Sequence, residues 1–100
     1  MKSAIAIQCL PATALGREEA YRLVDKAIAV IEASGLPYMV CPFETVIEGP
    51  LDRLMEVAKN AHLAILEAGS PSVSTYIKLV SGEELGSSEE KVGKYRAQGH

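Results

Sequence analysis

The chain carries IEASGLP at residues 31–37 and repeats the pattern in shorter form as LEAGSP at residues 66–71. In each copy a glycine of the kind that ends helices follows an apolar stretch, and a proline comes two residues later. Because proline cannot continue a helix, each copy indicates a helix that stops and leads into an extended strand. The repeated helix, stop and strand predict two similar βαβ halves.

The spacing of apolar residues before and after Gly35 and Gly69 predicts the helices and strands of the rest of the chain. Pro42 lacks a backbone N–H, so we expect it at a strand end or on an edge strand. The order predicts an α+β fold, a ferredoxin-like βαββαβ sandwich whose four-stranded antiparallel sheet has two helices on one face and strands one and three in the centre. The predicted elements are a strand over 3–10, a helix over 17–34, strands over 38–43 and 45–48, a helix over 51–68 and a strand over 72–80.

The elements divide the chain into one domain over residues 1–82 and a polar C-terminal arm over residues 83–100. Helical spacing predicts that the first helix buries Tyr21, Val24, Ile28 and Ile31. The same spacing in the second helix predicts an inward face made of Leu51, Leu54, Met55, Ala58, Ala61 and Ile65.

A two-layer sandwich leaves the second face of its sheet open. Strand alternation predicts a mixed polar and apolar surface there. Such a surface suits pairing with another subunit, so we expect a homo-oligomer, a dimer or a tetramer. The predicted open-face residues are Ala4, Ala6, Gln8, Ser74, Tyr76, Lys78 and Val80.

Composition argues against several classes of partner. The net charge is −3, the pI is near 5.3 and the ten basic residues are scattered, which disfavours a nucleic-acid surface. No apolar stretch approaches the roughly 20 residues of a membrane span. The apolar N-terminus is better explained as a first strand than as a signal peptide. We therefore expect a cytoplasmic protein that binds neither nucleic acid nor membranes, with Cys9 and Cys41 as reduced thiols.

Sequence signatures of catalysis are mostly missing. The chain has no Gly-rich phosphate loop, no GxSxG, no HExxH and no Cys/His metal spacing. His62 falls within a helix and is most simply a residue at the core boundary. We therefore expect a protein that is not an enzyme and holds no metal and no cofactor.

Three polar residues instead suggest a small-molecule site. Glu44 and Glu48 place carboxylates close to a strand, where they can hold a cationic or amidine-like ligand. The competing interpretation is a pair of ordinary edge-strand glutamates. Gln8 interrupts an apolar central strand, so its amide needs a partner from the ligand, another subunit or the backbone.

The order of several segments resembles one known family, the small thiamine-binding proteins of about a hundred residues. The first strand carries Ile7-X-X-X-Pro11, the second helix is rich in alanine around His62, and the resemblance extends over nearly the whole chain. The best-matching segments are SGLPY at residues 34–38, TVIEG at residues 45–49 and EEKVGKYR at residues 89–96.

The resemblance implies a sheet-based oligomer that binds thiamine or its hydroxymethylpyrimidine half, as a carrier, buffer or regulatory protein. It implies thiamine as a ligand, not as a catalytic cofactor. The residues that it suggests for the site are Glu48 for the aminopyrimidine or the positive charge, Thr45 and Ser34 for hydroxyl hydrogen bonds, Gln8 for an amide contact and Tyr38 for ring stacking.

Two other functions stay open at the level of sequence. The same fold can serve as a metabolite-sensing or protein-interaction module, which the open sheet face would suit. A small enzyme with a sheet-face His or Tyr is less well supported, since the sequence offers no nucleophile–base pair.

Overall fold

The computed structural model describes residues 2–12 and 14–83. The predicted C-terminal arm lies outside the described residues except for Glu83. The elements are β1 (Lys2–Pro11), α1 (Arg17–Ala33), β2 (Tyr38–Val40), β3 (Thr45–Gly49), α2 (Leu51–Glu67) and β4 (Val73–Gly82).

The four strands form one antiparallel sheet in the order β2-β3-β1-β4. This confirms the ferredoxin-like arrangement, with the first and third strands in the centre. Most element bounds fall within about two residues of their predicted positions. The second strand is shorter than predicted, because it ends at Val40 and Pro42 lies in the turn that follows.

Both helices pack on the same face of the sheet, and the core lies between the two layers. The central strands supply its middle through Ile5, Ile7 and Ile47, whose exposed fractions are 3% or less. Each buried aliphatic side chain of this size contributes about 1.5–3 kcal/mol relative to an exposed one. The helices complete the core with Leu23, Ala27, Ile31, Leu54, Val57, Ala58, Ala61 and Ile65.

The predicted buried faces of the helices need two corrections. Tyr21 is 63% exposed and Val24 and Ile28 are half-buried, so α1 buries Leu23, Ala27 and, as predicted, Ile31. Met55 is 43% exposed, and Val57 takes its place in the core. The helix α1 packs against α2 and β1. The part of its apolar face that carries Tyr21 lies outside these contacts and stays exposed.

The C-terminal ends of α1 and α2 are capped in the same way, each by an arginine of the other helix. Gly35 and Gly69 follow the two helices with φ values of 75° and 113°, which glycine adopts without a steric penalty. Arg53 near the start of α2 donates to the Ser34 carbonyl at 2.7 Å, and Arg22 of α1 donates to the Ala68 carbonyl at 3.1 Å. Each arginine therefore places a positive charge on the negative end of the other helix's dipole. Neither helix has a basic residue in its own last turn.

Neither helix of the described part of the chain is long and apolar enough to cross a membrane.

The capping arrangement predicts the effect of removing one guanidinium. Arg53→Met keeps the aliphatic stem and loses the bond to the Ser34 carbonyl. We expect the free energy of unfolding to fall by about 1 kcal/mol, the usual net value of one hydrogen bond. Urea denaturation measures the change, and Lys59→Met on the exposed face of α2 is the matched control. Equal stabilities of the two variants would contradict the capping role.

Candidate ligand site

The sheet has a notch beside the second half of β1. β4 pairs with β1 over its whole length, from Lys2 to Pro11, whereas β3 pairs with it only as far as Ile7. The β2–β3 hairpin turns before β1 ends, and its turn is closed by a 2.9 Å hydrogen bond from the Cys41 N–H to the Glu44 carbonyl. The side of β1 that faces β3 therefore has no strand partner beyond Ile7 among residues 2–12 and 14–83.

A cavity of about 370 Å³ lies at this notch, between α1 and the sheet. We call it the notch cavity. Its wall is mainly apolar, and the hairpin turn of residues 41–44 closes one side. It is lined by Ile7, Gln8, Cys9, Leu10, Tyr21, Val24, Ala27, Ile28, Ile31, Val40, Cys41, Pro42, Phe43, Glu44 and Thr45.

The notch cavity reaches both faces of the sheet. Ile7 and Cys9 point to the helix side, whereas Gln8 and Leu10 alternate to the open side, and all four line the cavity. A continuous ladder would separate these side chains, but β3 is absent at this level. A ligand in the notch cavity can thus contact the helix layer and the open sheet face together.

Two polar side chains in this wall have unused hydrogen-bonding capacity. Thr45 is only 6% exposed, and its hydroxyl makes no hydrogen bond within residues 2–12 and 14–83. The half-buried amide of Gln8 likewise bonds none of the described residues. Buried polar groups in native proteins are nearly always bonded, so both point to a ligand or to water.

The hairpin turn adds a carboxylate and an aromatic ring. Glu44 lies at the join between the notch cavity and the open sheet face, with Lys78 Nζ 3.5 Å from its Oε1. Phe43 is 81% exposed and Tyr21 is 63% exposed, although both line the notch cavity. Exposed rings at a cavity wall are available for stacking against a flat ligand.

Cys9 connects the cavity wall to a polar contact beneath α2. Thr75 Oγ1 donates to Cys9 Sγ at 3.6 Å, and His62 Nδ1 lies 2.6 Å from the same hydroxyl. Burial raises the pKa of the Cys9 thiol, and the bond from Thr75 partly opposes that rise. The thiol is therefore protonated at neutral pH.

Among the five residues predicted for the site, the fold brings Gln8 and Thr45 together at the notch cavity. Glu48 lies opposite Ala4, farther along the open face, and it is not without a partner. Tyr38 is opposite Ile47 on the edge strand, and Ser34 closes the end of α1.

Ser34 is already engaged, since its hydroxyl donates to the Ile31 carbonyl at 2.5 Å and accepts from the Leu36 N–H at 3.2 Å. The strand pattern predicts a carboxylate at Glu44 as well as at Glu48, and only Glu44 of these two lines the notch cavity. Within the described part of the chain, no group of three or more His, Cys, Asp or Glu side chains could hold a metal ion.

A comparison with protein families matches residues 5–96 to the family described as thiamine-binding protein. The chain is also 36% identical over 92 residues to a UPF0045 protein of Clostridium perfringens, covering 92% of this chain and 95% of that one.

Two solved structures have the same fold. A DUF77 domain of unknown function from Bacillus cereus is 37% identical, with a TM-score of 0.82 over 98% of this chain and 93% of that chain. A Thermotoga maritima protein described as a candidate thiamine biosynthesis or salvage protein is 26% identical, with a TM-score of 0.81 over 96% of this chain and 100% of that chain.

The raised pKa of Cys9 predicts how its thiol reacts. In a Cys41→Ser background, we expect the iodoacetamide rate to rise with pH around a midpoint above the ordinary thiol value of about 8.5. Thr75→Val removes the opposing hydrogen bond, so the midpoint should rise further. Rates measured against pH, with free glutathione as the reference thiol, test both statements. A midpoint below that of glutathione would contradict the burial of Cys9.

Proposed function

The chain belongs to the family of thiamine-binding proteins, and we propose on this premise that it binds thiamine, or its hydroxymethylpyrimidine half, in the notch cavity. The observation that carries the proposal is the pair of unused polar groups, Thr45 and Gln8, in an otherwise apolar wall. Small-molecule sites typically combine such a wall with a few placed polar groups and enclose about 300–1,000 Å³. The volume of about 370 Å³ fits that range.

The chemistry of thiamine fits the side chains at the notch. Its aminopyrimidine has hydrogen-bond donors and acceptors that match the Gln8 amide and the Thr45 hydroxyl. Its thiazolium is a fixed cation, and Glu44 is the carboxylate that lines the notch cavity. Tyr21 and Phe43 offer rings for stacking and for cation–π contact.

We infer a binding role without catalysis, as a cytoplasmic carrier, buffer or regulatory protein. The imidazole of His62 contacts Thr75, and the neighbouring Cys9 is kept as a thiol by burial. A thiol is a poor nucleophile compared with a thiolate, so this group of side chains favours a structural role.

We also propose that the chain forms a homo-oligomer through the apolar end of its open sheet face. Val80 is 42% exposed there and lies opposite Ala4, and Val46 lies opposite Ala6 on the other side of β1. These residues line a shallow, mainly apolar depression of the open face, and Lys78 lies at its border toward Glu44 and the notch. A partner centred on Ala4 and Val80 leaves the notch cavity and the Glu44–Lys78 pair accessible.

The proposed binding mode predicts which carboxylate matters. Glu44→Gln keeps the side-chain shape and removes the charge beside the thiazolium. We expect the thiamine affinity to fall about tenfold, corresponding to about 1.4 kcal/mol. Isothermal titration measures it, with Glu48→Gln and Glu56→Gln as controls of the same chemistry.

The controls decide between the two carboxylates. Loss of affinity only in Glu48→Gln would transfer the site to the residue suggested by the family resemblance. Equal affinity in all three variants would contradict a carboxylate contact. If the unaltered protein binds neither thiamine nor hydroxymethylpyrimidine, a different metabolite or a protein partner becomes the better hypothesis.

The proposed interface predicts the effect of a charge on the open face. Val80→Glu places a charge inside the proposed interface, where it loses its hydration, so we expect the oligomer to dissociate toward monomers. Sedimentation equilibrium measures the mass. Leu63→Glu places the same charge on α2, where the leucine is 37% exposed, and should leave the oligomer intact. A monomeric unaltered protein would contradict the interface.

A further inference from the structure

A second, smaller pocket of about 100 Å³ lies on the open sheet face next to the notch. We call it the sheet-face pocket. Three of its residues, Gln8, Phe43 and Glu44, also line the notch cavity. The two spaces therefore meet at the hairpin turn, and one elongated ligand can occupy both. The sheet-face pocket is lined by Ala6, Gln8, Phe43, Glu44, Tyr76 and Lys78.

Lys78 supplies the positive charge of this pocket. It lies opposite Ala6 on β4, its side chain is 83% exposed, and its Nζ is 3.5 Å from Glu44 Oε1. An exposed ion pair at this distance contributes little stability, so its partners can be exchanged at low cost. Neighbouring Tyr76 has a hydroxyl that bonds none of the described residues.

We propose that the sheet-face pocket is an anion subsite that holds the phosphate of a thiamine phosphate ester. This inference rests on the proposed thiamine site. The thiazolium displaces Lys78 as the partner of Glu44, and the released ammonium binds the phosphate. The Tyr76 hydroxyl is a further donor that can bond the phosphate.

The arrangement of charges supports this assignment. In thiamine phosphate the anion is carried on the short hydroxyethyl arm of the cationic thiazolium ring, so opposite charges are neighbours in the ligand. Glu44 and Lys78 are neighbours in the same way at the join of the two spaces. A phosphorylated ligand replaces one protein ion pair with two ligand ion pairs, whereas thiamine leaves the lysine without a partner.

The test compares thiamine with thiamine monophosphate by isothermal titration of the full chain at low salt. We expect the unaltered protein to bind the phosphate ester about tenfold more tightly than thiamine. Lys78→Met should abolish this preference, because the affinity for the ester falls about tenfold. The affinity for thiamine should be unchanged or slightly higher, because Lys78 no longer competes with the thiazolium for Glu44. This opposite response separates an anion subsite from a general loss of structure.

Three controls make the outcome specific. Lys59→Met removes an exposed lysine of α2 and should leave the preference unchanged. Tyr76→Phe removes only a hydroxyl and should reduce the preference. Inorganic phosphate should compete weakly with the ester, since it lacks the rings; competition as strong as that of the ester would mean a free-anion site and overturn the assignment.

The failure of this inference can be distinguished from failure of the proposed function. If thiamine binds and Lys78→Met weakens both ligands equally, or neither, the anion subsite is wrong and the thiamine site stands. If neither ligand binds the unaltered protein, both proposals are wrong.

Discussion

The candidate site depends on where the β2–β3 hairpin turns. Pro42 has no N–H for a strand ladder, and the turn is closed by the bond between Cys41 and Glu44. Because β1 continues to Pro11 along β4, the described residues form two paired strands at a level where the sheet would otherwise have four. This difference in strand length creates the notch.

The notch brings apolar, polar and charged side chains together in one cavity wall. On the helix side, the apolar face of α1 extends beyond the packed core and forms an apolar wall of the cavity. This wall adds no buried polar group to the fold. From the sheet, Gln8 and Thr45 offer polar groups without protein partners among the described residues. From the turn, Glu44 adds a negative charge that Lys78 balances. Apolar walls with few placed polar groups favour a small, flat, cationic ligand.

Sequence patterns were sufficient for the fold, because helix stops, strand alternation and a proline act locally. Pro42 is an example, because its missing N–H indicates that the strand stops near it, although the strand ends at Val40 and Pro42 lies in the turn. Local patterns did not predict the features that depend on how the helices and strands pack together. The spacing of Tyr21 from the other apolar residues of α1 places it on the apolar helix face. The spacing does not indicate that this part of the face lines a cavity. Gln8 was predictable as a polar residue in an apolar strand, whereas Thr45 was suggested only by the family resemblance. The choice between Glu44 and Glu48 depends on the register and on the end of β3, which no local pattern encodes.

The most direct test of a ligand in the notch cavity is ¹³C-methyl NMR of isoleucine-labelled protein titrated with thiamine. Ile7, Ile28 and Ile31 line the cavity, whereas Ile5, Ile47 and Ile65 lie in the core without lining it and Ile77 lies on the edge strand. We expect saturable shifts in the first three methyl signals and little change in the other four. Shifts confined to the other four, or no shift at saturating thiamine, would contradict a ligand site at the notch.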